Sequence, residues 1–190
     1  MGSAINPTII AGFKRHGKDE MALYINKHYD LTSKSSSWFA CEKFIFNRMK
    51  DLYGYETPLE CYNDRDNHRV LWYQYICDYN KENKAQLGID IFSEADFYVG
   101  IRDKDELEGI KKHFPNLTVV WVDAIERKEP ENSDSMNVTI DDADIVIDNN
   151  GSLGAFYLRI DQFMEQNFPH IPRKTPRPQK AQEVTEGMSY

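Results

Sequence analysis

Apolar positions along this chain come in short runs separated by longer stretches with helical spacing. The first run is Thr8-Ile9-Ile10-Ala11, following Pro7; later ones are Phe97-Tyr98-Val99-Gly100-Ile101, Leu117 to Val122, and the Ile145-Val146-Ile147 core of Asp144 to Asp148. Short apolar runs without alternation predict strands covered on both faces. Asp19–His28 carries Met21, Leu23 and Ile25 among polar residues, as a helix would. A second helix is predicted from about Glu42 to Leu52, with Phe44, Ile45, Met49 and Leu52 on one face and Gly54 as its stop. Further helices are predicted over about Asn67–Glu82, from Asp103 to about His113 with Pro115-Asn116 as the break, and over Leu153–Phe168 behind a Ser152 cap. Residues 32–37, 55–66 and 124–142 are polar or turn-rich and follow neither period.

Strands alternating with helices predict right-handed crossovers and therefore an α/β fold, a three-layer arrangement of a parallel sheet with helices on both faces. Ligands in such sheets sit at the carboxyl ends of the strands. The turn after Ala11, Arg102 and the loop after Val122 should therefore converge on one edge. From Pro169 the composition shifts, with Pro172, Pro176 and Pro178 among basic and polar residues. The expected organisation is one domain over residues 1–168 with a lid near 124–142, and an extended Pro-rich tail over 169–190 without core contribution.

The turn after the first strand reads Gly12-Phe13-Lys14-Arg15-His16-Gly17-Lys18-Asp19. This is the spacing of a P-loop, with Asp19 in place of the usual Ser or Thr, and it has the strand before it and helix after it that the motif requires. Glycines let the backbone amides of Gly12 to Gly17 point into one cavity, the helix N-terminus adds its dipole, and the Lys18 ammonium reaches outer phosphates. A carboxylate at Asp19 can still hold Mg²⁺, which prefers oxygen ligands. Lys14, Arg15, His16 and Lys18 offset its negative charge beside phosphates. Phosphate and Mg²⁺ are thus the expected ligands; the competing structural reading is a glycine turn that binds nothing.

Charge narrows the partners. The chain has 190 residues and a formal net charge of -8, which disfavours bulk attraction to nucleic acid or to an anionic membrane. Phosphate binding must therefore use basic residues concentrated locally. Cys41, Cys61 and Cys77 are scattered, with no metal-ligand spacing, as expected of a reduced cytoplasmic protein. No stretch approaches 18 apolar residues, so a membrane span is not expected.

Three pieces together resemble the phage deoxynucleoside monophosphate kinases, and more distantly the phosphomevalonate kinases, both in the P-loop kinase superfamily typified by adenylate kinase. Those families carry Gly-x-Lys-Arg/Lys-x-Gly-Lys-Asp, which Gly12, Lys14, Arg15, Gly17, Lys18 and Asp19 match residue for residue. The phage family has a strand ending in Asp-Val-Arg with Glu four residues later; Arg102 and Glu106 match, while Gly100 replaces the Asp. The third piece is the strand Asp144–Asp148 followed by Asn149-Asn150-Gly151-Ser152-Leu153, similar to an apolar strand, an Asn and a Gly-Ser-Leu that opens the last helix. Weaker echoes are Phe39-Ala40, with Lys43 one position short of the family's lysine, Tyr53-Gly54, Arg69-Val70-Leu71 with Gln74, and Ser133-Asp134 in the lid. The resemblance spans roughly residues 8–166.

The resemblance implies a nucleoside monophosphate kinase-like P-loop NTPase in the host cytoplasm, supplying DNA precursors. Phosphate would pass from ATP to a nucleoside monophosphate. Gly12, Phe13, Lys14, Arg15, His16, Gly17, Lys18 and Asp19 would hold ATP and its Mg²⁺, with Asn149 and Gly151 near base and ribose. Lys18, Arg15 and Arg102 would be catalytic; Arg69, Arg102 and Lys43 would bind the acceptor, guanidinium forks suiting phosphate oxygens. Arg127 and Lys128 lie in the lid. Two of the acceptor residues have a plainer role: Arg69 as a surface charge, Arg102 as the partner of Glu106. Asp64-Arg65-Asp66 and His68 read as a turn and helix cap, Trp72, Tyr73, Tyr75 and Tyr79 as core, and Asp141, Asp142 and Asp144 as caps. If a protein partner exists, a homodimer is expected. Two alternatives stay open: a P-loop regulatory or partner-binding module without phosphoryl transfer, and a kinase for a phosphomevalonate-like metabolite.

Overall fold

β1 (Thr8–Ala11) lies at the centre of a five-stranded, wholly parallel sheet in a computed structural model that describes residues 5–130 and 136–175. The other strands are β2 (Ser33–Ser35), β3 (Phe97–Val99), β4 (Thr118–Asp123) and β5 (Ile145–Asp148), in the spatial order β2-β3-β1-β4-β5. β1 is registered on both neighbours, Ile9 opposite Tyr98 and Ile10 opposite Val120. The chain passes from β1 to one side of the sheet for β2 and β3, then crosses to the other side for β4 and β5. The reversal of strand order falls at β1, and the carboxyl ends of strands at such a point are where ligands sit in open parallel sheets.

Successive residues of the central strands face opposite layers. Ile9, Tyr98, Val119 and Trp121 join Phe39, Ile45, Met49, Leu87, Leu107 and Ile110 in one core. Ile10, Val99, Val120 and Val122 join Met21, Ile25, Phe156 and Ile160 in the other. The second face is covered by α1 (Lys18–His28) and α8 (Leu153–Asn167). The first is covered by α2 (Ser36–Ala40), α3 (Phe46–Tyr53), α4 (Pro58–Asn63), α5 (Arg69–Tyr79), α6 (Gln86–Glu94) and α7 (Lys104–His113). Phe39, Phe97 and Phe156 are fully buried, and removing each from water contributes roughly 1.5–3 kcal/mol. The expected three-layer α/β fold is what forms.

Several boundaries differ from the periodicity. The helix expected over Glu42–Leu52 begins earlier, as α2, and passes through a π-helical stretch, Cys41–Ile45, before α3. The expected Asn67–Glu82 helix opens instead as a 3₁₀ turn, Arg65–His68, and ends at Tyr79. Part of the turn-rich stretch 55–66 is α4, whose N-terminus is a capping box: the Glu60 amide donates to Thr57 Oγ1 at 3.3 Å and Glu60 Oε2 accepts from the Thr57 amide at 3.3 Å. Trp72 is buried and Tyr79 stacks on Phe44 at 4.4 Å, while Tyr73 is exposed, so the aromatic stretch is largely core.

The expected break after residue 168 also moves. Ile171 packs against the α1–α8 core, and the Lys174 amide donates to His28 O at 2.7 Å. Arg173 Nε lies 3.3 Å from Oδ1 of the buried Asp161, whose carboxylate also accepts from the Tyr24 and Tyr29 hydroxyls. A buried carboxylate requires such partners, so residues up to Thr175 belong to the domain. Pro176, Pro178 and the rest of the expected tail lie outside the described residues, as do Ser133-Asp134.

Candidate functional site

The phosphate loop turns back on itself at three positive-φ residues: Gly12 (147°), Arg15 (68°) and Gly17 (107°). Gly12 has a second constraint, because a Cβ there would stand 2.7 Å from the Val122 carbonyl oxygen of β4. Arg15 is the one described non-glycine residue in left-handed backbone, a conformation that costs of order 1–3 kcal/mol and persists only where the surroundings impose it. The loop is pinned to the core by Phe13, edge-on to Trp121 at 5.1 Å and to His16 at 5.4 Å. The motif therefore sits at the topological switch point, feeding directly into α1.

Lys18 is largely buried, with its ammonium 3.7 Å from Oδ2 of the exposed Asp19. Its side chain runs along the end of β3, where a Cβ on Gly100 would stand 3.5 Å from Lys18 Cε. Gly100 has φ +91°, and its carbonyl accepts from Ser36 Oγ at 3.1 Å. The left-handed backbone at this point gives a physical reason for glycine where the resembling family has Asp.

The structure brings Lys14 and Arg69 together through a residue read from sequence only as part of a turn. Lys14 Nζ lies 3.7 Å from Asp66 Oδ2, and Arg69 donates to Asp66 Oδ1 from Nη2 at 2.9 Å and from Nε at 3.2 Å. The Arg69 guanidinium first, then the charges of Arg69, Lys14 and Arg65, hold the Asp66 carboxyl below its usual range. Asp64 does serve the turn, accepting from Tyr55, Asn67 and His68. Lys43 has another attachment: Lys43 and Lys34 each reach one oxygen of Glu94 at 2.5 Å and lie 5.2 Å from the Phe39 ring centroid. These bonds lower the Glu94 carboxyl to about 2.

Arg102 is half-buried at the end of β3, and its carbonyl accepts from the Asn137 and Val138 amides at 3.0 and 3.3 Å. The expected lid is thus anchored at its far end, where Val138 is fully buried. Its near end is anchored through His16 and Arg127. Asn149 is buried: its Nδ2 donates to His16 O at 2.8 Å and its carbonyl accepts from Arg127 Nε at 2.6 Å. The Asn149 side chain thus ties the start of α8's leading turn to the Gly12–Lys18 loop. Gly151 lies on the exposed turn before α8.

Glu106 is buried beneath the β3 end rather than displayed on α7, and accepts from the Tyr98 hydroxyl at 2.9 Å. Burial, with the nearby Asp103 charge, raises its carboxyl from 4.5 to about 7 against the opposing bonds from Tyr98 and Asn80 and the charge of Lys84. Because the folded state favours the neutral acid, the contribution of this group is fully present below pH 4.5 and is lost as pH rises through about 7. Glu106→Gln keeps an acceptor for Tyr98 and cannot ionise. Denaturant melts of both proteins at pH 5 and pH 8 should show the variant gaining roughly 2–3 kcal/mol relative to the native chain at the higher pH. Equal pH dependence in both would refute it.

Asp123, at the carboxyl end of β4, went unread in the sequence, although an apolar run ending in an acid at a central strand's tip is a visible signal. Its carboxylate lies 3.8 Å from His16 Nδ1 and accepts from Asn150 Nδ2 at 3.4 Å. Among the described residues no group of three or more His, Cys, Asp or Glu could hold a metal. A donor set of isolated carboxylates suits Mg²⁺ that arrives with phosphates, since this ion typically takes only one or two protein carboxylates. No helix among the described residues is long and apolar enough to cross a membrane.

No family model and no curated protein matches the sequence. Among solved structures, the chain is similar to an unliganded sugar kinase from Janibacter sp. HTCC2649, at 11% identity and a TM-score of 0.46, over 87% of this chain and 97% of that one. A likeness of that degree assigns neither a family nor an activity.

Proposed function

We propose that the protein is a nucleotide kinase that transfers the γ-phosphoryl group of ATP to a (deoxy)nucleoside monophosphate. The observation that carries this reading is the Lys14–Asp66–Arg69 group, which sets the phosphate loop against a guanidinium from the start of α5. An ammonium and a guanidinium are thereby set beside a loop with the spacing of a phosphate-binding motif. That arrangement suits two polyanions held side by side, which is what phosphoryl transfer between nucleotides requires.

In this reading the roles divide among the loop, α5 and the end of β3. The amides of Gly12 to Gly17 and the Lys18 ammonium hold the outer phosphates of ATP. Arg69 and Lys14 receive the acceptor phosphate, with Arg102 at the end of β3 as a further charge. Arg15 adds positive charge at the loop's tightest point. Mg²⁺, with Asp19 as the loop carboxylate to hold it, would supply charge neutralisation across the transferring group. The segment around 124–142 would exclude water when both substrates are present.

The test is ADP release from Mg-ATP with a panel of deoxy- and ribonucleoside monophosphates, read by a coupled assay. Turnover is expected with a subset of the monophosphates. ATP binding without turnover on any of them would replace this reading with a nucleotide-binding module or a kinase for another phosphorylated metabolite.

A further inference from the structure

His16 occupies a position that the P-loop motif leaves open, yet its side chain is fully buried and both ring nitrogens are bonded. The Ala124 amide donates to Nδ1 at 3.0 Å. Nδ1 must therefore present a lone pair, which places the ring proton on Nε2. Nε2 donates to the Lys128 carbonyl at 3.2 Å. The imidazole thus bridges both ends of the turn that leaves β4. That turn holds the third loop of the site, since Arg127 Nε donates to Asn149 O and the Asn149 amide donates to Asp123 O. Asn149 returns to the phosphate loop through its bond to His16 O. The circuit closes one residue before Gly17 and two before Lys18.

We propose that His16 is a positioning residue: through its two ring bonds it sets the phosphate loop for polyphosphate and couples the loop's occupancy to the turn over residues 124–128. This deepens the kinase reading and rests on it. A histidine suits the task because one rigid ring offers an acceptor and a donor in fixed opposition, whereas the loop's own glycines leave its backbone free to relax. Nothing in the motif's spacing asks for histidine here; the demand comes from the Ala124 amide and the Lys128 carbonyl.

The experiment uses the full chain and inorganic tripolyphosphate as probe, titrated by calorimetry well below the melting temperature, with the ¹⁵N signals of the His16 ring followed in parallel. The native protein should bind, show a ring protonated at Nε2, and shift those signals on binding. His16→Ala should bind about thirtyfold more weakly, as expected when two buried bonds each worth about 1 kcal/mol are lost. His16→Asn, whose amide oxygen can take the Ala124 bond, should recover part of that loss. A role confined to stability would lower the melting temperature and leave the tripolyphosphate affinity unchanged in both variants, and would overturn the proposal. Equal weakening in both would also overturn it, since the Ala124 bond would then be idle. If His16→Ala fails to fold, His16→Asn and His16→Gln decide: native affinity in both refutes, graded loss supports. A native protein that binds tripolyphosphate while its ring signals stay still removes the coupling. One that does not bind removes the kinase reading, and this inference with it.

Discussion

Lys18→Ala should reduce monophosphate-dependent ADP release by about 10³-fold while leaving the domain folded. The loss of a single preorganised donor aimed at a transition state typically costs 10²–10³ in turnover, and in the proposed kinase this lysine is the cation the loop delivers to the outer phosphates. Its aliphatic stem lies along Gly100 at the end of β3 and its head beside Asp19. Truncation leaves the apolar side chains of both cores in place. Steady-state kinetics with a thermal melt would check both halves. Turnover within tenfold of the native protein would exclude Lys18 from catalysis. A large fall in melting temperature would mark its role as structural instead.

Gly17→Ala should destabilise the site through a single added methyl. Gly17 has φ 107°, where an alanine is strained by of order 1–3 kcal/mol. Its added Cβ would also fall on the side-chain nitrogen of Asn149, displacing the amide that donates to His16 O. With that bond worth about 1 kcal/mol, the combined cost is roughly 2–4 kcal/mol. At about 2–4 °C per kcal/mol for a domain of this size, the melting temperature should fall by about 5–15 °C. Asn149→Ala empties the colliding position, so Gly17→Ala with Asn149→Ala should cost less than the two single changes added together. Strict additivity would mean that the loop moves away from Asn149 on its own.

Both variants probe the same loop, and its legibility was uneven. Gly12, Gly17 and Lys18 announce themselves by spacing because the chemistry there is local: a backbone curl and a charge within one turn. The apolar runs of β1, β3 and β4 were readable because a strand covered on both faces has no polar side to show; β5, at the sheet edge, keeps its apolar run although Val146 is exposed. β2 was not readable. Ser33-Lys34-Ser35 contains no apolar residue and is a strand only because β3 offers it a partner at the sheet edge, Lys34 registering on Tyr98. α6 had no assignment from sequence, although Leu87 and Ile91 are fully buried.

By itself, then, the sequence determined the α/β alternation, the buried strands and the phosphate loop, because each follows from residues within a few positions of one another. The tertiary structure decided what surrounds that loop. It seated His16 between Ala124 and Lys128, turned Asn149 inward as a brace, joined Lys14 to Arg69 through Asp66, buried Glu106 under Tyr98 and clipped Arg173 onto Asp161. Nearly all of these pairings join separate elements of the chain, with 112 residues separating His16 from Lys128. They are bonds between polar groups that only the folded sheet brings together, the buried ones needing such partners to offset lost hydration, and no periodicity or spacing along the chain carries that information.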